Sequence, residues 1–175
     1  ELVAFIRSSK RRESGGVEVA FKLAWDAANL YLLANVTDPT PMKNEHSGDH
    51  LWNADVLELF IGSERLDEGG PLQFTDRQIL LGAGRNNQTH VVNAARQPAI
   101  ETAVVPTVDG KGYTLEAAIP WQALDVTPKE GQTLLFDLAV GNSTDGKQRT
   151  SQLVWNGGPR NSSDRSAWGR LTLVP

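Results

Sequence analysis

Apolar residues in this chain recur at every second position, in short runs closed by turn residues, and that spacing constrains the fold more than any other feature. In Val17-Glu18-Val19-Ala20-Phe21-Lys22-Leu23-Ala24-Trp25, one face carries Val17, Val19, Phe21, Leu23 and Trp25. A two-residue period is that of a strand with one buried face. Asp26-Ala27-Ala28-Asn29 reads as a hairpin turn, after which the pattern resumes over 30–36. Asp38-Pro39-Thr40-Pro41 ends that run, because proline cannot donate to a ladder. Further strands are expected at 51–61, 74–81, 89–92, 100–107, 113–119, 134–140, 152–155 and 169–174. Residues 2–6 form a short apolar run ahead of an exposed polar loop over 7–16, and polar loops are expected at 42–49 and 62–71. The one helical turn is Pro120-Trp121-Gln122-Ala123-Leu124, with proline at its start. About ten short strands and hardly any helix predict an all-β fold, an antiparallel β-sandwich of jelly-roll or immunoglobulin-like two-sheet architecture. The 175 residues suit a single domain over 1–175.

Composition narrows the function. The formal net charge of −4 disfavours nucleic acid and anionic membrane surfaces as partners. The absence of cysteine removes disulfides, thiolate metal sites and a thiol nucleophile, without fixing the compartment. No apolar run approaches the roughly 20 residues of a membrane span. The chain begins at Glu1 and is read as a mature or excised piece of a longer protein. It has no Gly-x-Ser-x-Gly elbow, phosphate-cradling glycine loop or His-Glu-x-x-His. His46, His50 and His90 share no metal-ligand spacing and read as solvated loop residues. Asp55, Glu58 and Glu116 are the carboxylates to weigh for glycosidic hydrolysis. Asp55 and Glu58, three apart on one strand, point to opposite faces and cannot act as a facing pair. No catalytic residue is assigned, and the chain is expected not to be an enzyme.

Five Trp stand against one Met and two Tyr, several of them beside loop residues. In the 51–61 run, Trp52, Val56, Glu58 and Phe60 share one parity and Asn53, Asp55, Leu57, Leu59 and Ile61 the other, the better core face. An indole and a carboxylate on one face suit a sugar, the ring covering C–H groups and the acid accepting hydroxyls. The alternative is that Trp52 packs under the preceding loop and Glu58 is a solvated strand residue.

The motifs Leu23-Ala24-Trp25-Asp26, Asn29-Leu30-Tyr31-Leu32 and Val36-Thr37-Asp38-Pro39 precede Trp52-Asn53-Ala54-Asp55-Val56-Leu57-Glu58-Leu59-Phe60. Then come Gly112-Tyr113-Thr114-Leu115-Glu116 through Pro120-Trp121, Leu153-Val154-Trp155-Asn156 and Trp168-Gly169-Arg170-Leu171. In this order they resemble a family 9 carbohydrate-binding module, within the wider DOMON-like β-sandwiches, from about Val17 to the C-terminus. The resemblance implies a non-catalytic sugar site. It would bind an oligosaccharide or polysaccharide of the glucan or xylan class, and the module would be covalently linked to a catalytic domain of a secreted bacterial enzyme. It makes Trp52 one ring of a two-Trp clamp and Glu58 the hydroxyl acceptor. It aligns Asp38 and Asp55 with recurring acids and implies structural Ca²⁺, for which oxygen ligands suit. Asp55, on the core parity, needs either a cation or hydrogen-bond donors.

The sequence departs from the family where the second clamp Trp would lie: Asn156-Gly157-Gly158-Pro159-Arg160-Asn161-Ser162-Ser163-Asp164-Arg165 holds no aromatic. Trp155 and Trp168 match core positions. The strand amide of the family falls at Ala139 and its basic strand residue at Leu80, with Arg77 nearby. Weak binding, a different glycan, or a pocket rebuilt from Arg77, Arg85, Asn142, Arg160 and Asn161 would each account for this. The alternative functions are a DOMON-type b-haem electron-transfer domain, with Met42 and His90 as conceivable ligands, and a structural sandwich whose sugar site is degenerate.

Overall fold

The computed structural model describes residues 4–6, 16–84 and 86–175, the first three as backbone. The loop expected over 7–16, all but its last residue, and Arg85 lie outside the described residues. The strands are β1 (Ala4–Ile6), β2 (Glu18–Trp25), β3 (Asn29–Thr37), β4 (Val56–Gly62), β5 (Arg77–Gly82) and β6 (Thr89–Val91), followed by β7 (Glu101–Pro106), β8 (Gly112–Pro120), β9 (Thr133–Asn142), β10 (Ser151–Val154) and β11 (Gly169–Thr172). A single turn of helix, α1 (Trp121–Leu124), follows β8, and a 3-10 helix spans Gly48–Asn53.

All pairings are antiparallel. One sheet runs β1-β2-β3-β8-β7 and the other β10-β9-β4-β5-β6, with β11 also on β9. The alternation sets which residues meet. Val19, Phe21 and Leu23 of β2, Leu30, Leu32 and Ala34 of β3 and Leu115 and Ile119 of β8 face Leu57, Leu59 and Ile61 of β4 and Leu134, Phe136 and Leu138 of β9 in one continuous core. Each such side chain contributes about 1.5–3 kcal/mol by leaving water. The β2–β3 turn is closed by Asp26, whose carboxylate accepts the Ala28 and Asn29 N–H groups at 2.7 and 2.8 Å.

Strand positions match the sequence reading closely, with two differences that bear on function. Residues 51–55 do not extend β4. The chain turns at Gly48, whose positive φ of 58° favours glycine, and Leu51 inserts beside Val56 and Leu80. Asn44 Nδ2 then donates to the carbonyls of Leu51 and Asp55 at 3.0 and 2.9 Å, fixing the 3-10 turn. Nor does β5 reach back to Phe74. Asp76 accepts the Gln73 N–H at 2.7 Å and donates its own N–H to the Gln73 carbonyl, holding 73–76 as a turn.

The outer face of the second sheet is also covered, so β4 is buried along its whole length. Phe60, Leu135 and Ala139 lie under Trp168, and Val56 and Leu80 under the 3-10 helix. Arg165 reaches beneath the same cover and pairs with Asp76 at 3.2 Å, both fully buried. The candidate site lies between the 3-10 helix and the 158–162 segment.

Candidate functional site

The 3-10 helix turns Leu51 inward and Trp52 outward, leaving the indole 41% exposed beside a cavity of about 350 Å³. Trp52, Phe60, Gln78, Arg149, Gln152, Pro159 and Asn161 are among its walls. Beneath them is Glu58, 2% exposed. Its Oε1 accepts Arg149 Nη1 at 3.0 Å and Gln152 Nε2 at 2.7 Å, and its Oε2 accepts Gln78 Nε2 at 2.8 Å. Burial pushes the Glu58 carboxyl above the ordinary range, while Arg149, Gln78 and Gln152 pull the other way. The Arg149 guanidinium also lies 5.0 Å from the centre of the Trp52 ring, a cation–π contact. Asn53 secures this arrangement, its side chain accepting the Arg149 N–H and donating to the Lys147 carbonyl, each at 3.2 Å. One buried acid thus orients two amides and a guanidinium around an open indole before any ligand arrives.

Asp137 performs the same task on the opposite wall. It is fully buried and accepts the N–H groups of Leu138, Asn156 and Gly157 and the Asn161 side-chain amide, at 2.7–3.0 Å. Burial raises its pKa and those donors oppose the rise. Gly157 is required by close approach, since a Cβ there would stand 2.7 Å from the Asp137 carboxylate. Asn161 Oδ1 in turn accepts the Gly158 N–H at 3.0 Å.

The residues singled out from the sequence separate into groups. Trp52 and Asn161 line the hollow, and Glu58 lies under it as a hub rather than on its surface. Arg160 lies on the far side of the 157–161 segment and pairs with Asp164 at 3.3 Å. Arg77 is not brought to the hollow. Its guanidinium is held by the Phe74 carbonyl at 2.8 Å and by Asp125 at 3.3 Å. Asn142, at the end of β9, is buried near Thr40, 3.5 Å away, and stands with the acidic pair below instead. Gln78, Arg149, Gln152 and Asp137 were missed. Ala139 pairs with Glu58 across the sheet, so the amide absent at 139 comes from the neighbouring strand as Gln152, and the cation absent at Leu80 comes from a loop as Arg149. A polar residue inside an expected strand, as at Gln78 in 74–81, was the available signal.

Asp38 and Asp55 are both buried and near enough to interact. Asp55 finds hydrogen-bond donors, accepting the N–H groups of Lys43 and Ser143 at 2.6 and 2.7 Å. Burial still raises it to about 7, with the Asp38 charge adding to the rise. Asp38 accepts the Thr40 N–H and hydroxyl at 2.8 and 2.7 Å. The Tyr113 hydroxyl, whose pKa burial and both acids raise, is buried without a hydrogen-bond partner among the described residues. Those residues contain no group of three or more His, Cys, Asp or Glu placed to hold a metal. The donor set is nonetheless all oxygen, with Thr40 and Asn142 beside the acids, and fits a hard cation completed by neutral oxygens. The histidines stand apart. His46 bonds the Lys147 carbonyl at 2.8 Å, His50 pairs with Asp49, and His90 lies on β6. Met42 packs against the core and borders a cavity lined by Lys43, Asn44, Glu45 and Asn86, chemistry unsuited to enclosing a macrocycle.

A wider hollow of about 500 Å³ lies on the outer face of the first sheet, but its floor is Ala24, Ala103 and Ala118 and its one aromatic is Tyr31, whose hydroxyl bonds Asp26 at 2.9 Å. No helix among the described residues is long and apolar enough to cross a membrane.

Fold and hollow define a class, the two-sheet β-sandwich modules with an exposed aromatic beside polar groups set in place by buried acids. The profile of the family described as "Carbohydrate family 9 binding domain-like" matches residues 3–175, and the chain belongs to that family. It is a non-catalytic carbohydrate-binding module. Endo-1,4-beta-xylanase C of Paenibacillus barcinonensis is 31% identical over 164 residues, covering 92% of this chain and 14% of that enzyme. Endo-1,4-beta-xylanase A of Thermoanaerobacterium saccharolyticum is 29% identical over 162 residues, 92% of this chain and 13% of that enzyme. The chain therefore spans about one seventh of such relatives. A family 9 module from Caldicellulosiruptor kristjanssonii, solved with cellotriose, superposes with a TM-score of 0.78 at 22% identity, over 98% of this chain and 83% of that one. The same module with glucose gives 0.77 at 22% identity, over 98% and 84%.

Proposed function

We propose that the hollow beside Trp52 binds a saccharide of the β-1,4-linked glucan or xylan class. A pyranose ring stacks on the indole, and Gln78, Gln152, Arg149 and Asn161 exchange hydrogen bonds with its hydroxyls. Glu58 acts from beneath, its carboxylate holding the first three at set positions. The single observation that carries this reading is the half-exposed indole facing amides and a guanidinium already anchored on one buried acid. Among the described residues that line the hollow, Trp52 is the one exposed aromatic, Phe60 being buried, and each hydroxyl surrenders water, so affinity is modest, on the order of micromolar to millimolar. The named ligands of similar structures, cellotriose and glucose, and the xylanase relatives support this class. They also support attachment to a secreted bacterial glycan-degrading enzyme. A structural Ca²⁺ belongs at Asp38 and Asp55, with Thr40 and Asn142 beside them. When bound it supplies charge neutralisation to two buried acids.

Titration calorimetry against cello- and xylo-oligosaccharides tests the site. Trp52→Ala is expected to weaken binding at least about 100-fold while the far-ultraviolet spectrum and melting temperature hold. Unchanged affinity in that variant rules the site out. For the cation, chelation is expected to lower the melting temperature by several degrees, Ca²⁺ to restore it, and Asp38→Ala to remove the response. Identical melting curves with and without chelator dismiss the ion.

A further inference from the structure

We infer that the site continues over the Gly158–Pro159 ridge into a second subsite, and that its occupant is the next unit of the same saccharide chain. This rests on the reading of the Trp52 hollow given above. A cavity of about 420 Å³ lies on the far side of the ridge, against Arg160, Asp164, Ser166 and Ala167. Gly158, Pro159 and Asn161 line both hollows, so they share one wall.

That wall is low. Gly157 and Gly158 have no side chains, and nothing lies within 4 Å of the place a Cβ on Gly158 would occupy. A chain leaving the indole meets no ring there that would cap it. The wall is also fixed. Asp137 accepts the Gly157 N–H and the Asn161 amide, each at 2.7 Å, and Asn161 accepts the Gly158 N–H, so the segment is a saddle rather than a lid.

The far hollow offers what a second sugar needs. Pro159 and Ala167 present apolar surface to C–H groups, and Arg160, its side chain 82% exposed, offers several N–H donors. Its pairing with Asp164 is an exposed i,i+4 contact at 3.3 Å, which holds a side chain weakly. The guanidinium is free to trade that carboxylate for hydroxyls at little cost. An occupant that uses both hollows must repeat apolar faces and hydroxyls along its length, which is the chemistry of a linear oligosaccharide. Arg160 then determines preference for chain length and takes no part in holding the first unit.

Calorimetry with a series from mono- to hexasaccharide, in cello and xylo forms, tests this on the intact chain. Wild-type affinity is expected to rise about tenfold between the monosaccharide and the trisaccharide. Arg160→Ala, and separately Ala167→Leu to fill the far hollow, are expected to erase most of that gain while monosaccharide affinity stays within about twofold. Both positions are exposed at the surface, so the fold is retained. Equal affinity for mono- and hexasaccharide, or a gain left intact by both variants, overturns the second subsite and leaves the first standing. Failure of any sugar to bind, or monosaccharide binding that survives Trp52→Ala, removes the first site and the second with it.

Discussion

Asp55 carries an electrostatic penalty that can be read as a stability effect. Its carboxyl is raised to about 7 by burial, against about 4 in an unfolded chain. Between those values the folded protein keeps a proton that the unfolded chain has released. Its contribution to stability is therefore full below about pH 4 and is lost as pH rises through about 7. In chelator, the wild-type curve of stability against pH is expected to fall across that window relative to Asp55→Asn, by at most about 4 kcal/mol. Parallel curves in urea titrations at pH 4 to 8 contradict this. At this scale the sequence was partly legible. Trp52 stood out as an aromatic beside a loop, and Asp55 as an acid on the core parity. Gln78, Arg149 and Gln152 did not, because they meet only through the registers of β5 and β10 with the rest of the sheet and through a loop. Asn142, at the end of β9, lies outside the lining of the hollow, its side chain beside Thr40.

Among elements, the 156–161 segment is the clearest case of a loop held by one side chain. Removing the carboxylate in Asp137→Ala strips acceptors from the Asn156 and Gly157 N–H groups and the Asn161 amide. A cost of about 2–4 kcal/mol is expected. Amide exchange should accelerate at Gly157 and Asn161 while β4 and β9 stay slow; uniform exchange throughout would show that the segment is not held this way. Strand locations were readable from alternation, because each β2, β3 and β8 residue truly faces either core or solvent. The 3-10 helix was not readable, since residues 51–55 keep an apolar pattern that a strand would share. What bends them is the Asn44 side chain, distant enough in sequence to leave no local trace.

Across the whole molecule, the two sheets are joined by aromatic packing. Phe136 of β9 meets Phe21 of β2 with ring centres 6.1 Å apart and Trp155 at 5.8 Å. Phe136→Ala is expected to cost about 3–5 kcal/mol, read as a lower urea midpoint with an unchanged slope. A loss under about 1 kcal/mol would mean that the sheets are held together elsewhere. The two-sheet architecture was legible because the strands of the first sheet alternate and the remaining runs are short and closed by turns. The burial of β4 on both faces was not, because its outer cover, Trp168 and the 3-10 helix, comes from segments that show no period.

The three side chains that Glu58 anchors have consequences for timing. Groups already in position give up little freedom on capture, so association proceeds at an ordinary rate of about 10⁶ M⁻¹s⁻¹. With a dissociation constant on the order of 10⁻⁴ M, each encounter lasts roughly 10 ms. A module that lets go this quickly does not stay fixed at one spot on a long saccharide but samples many positions along it in each second.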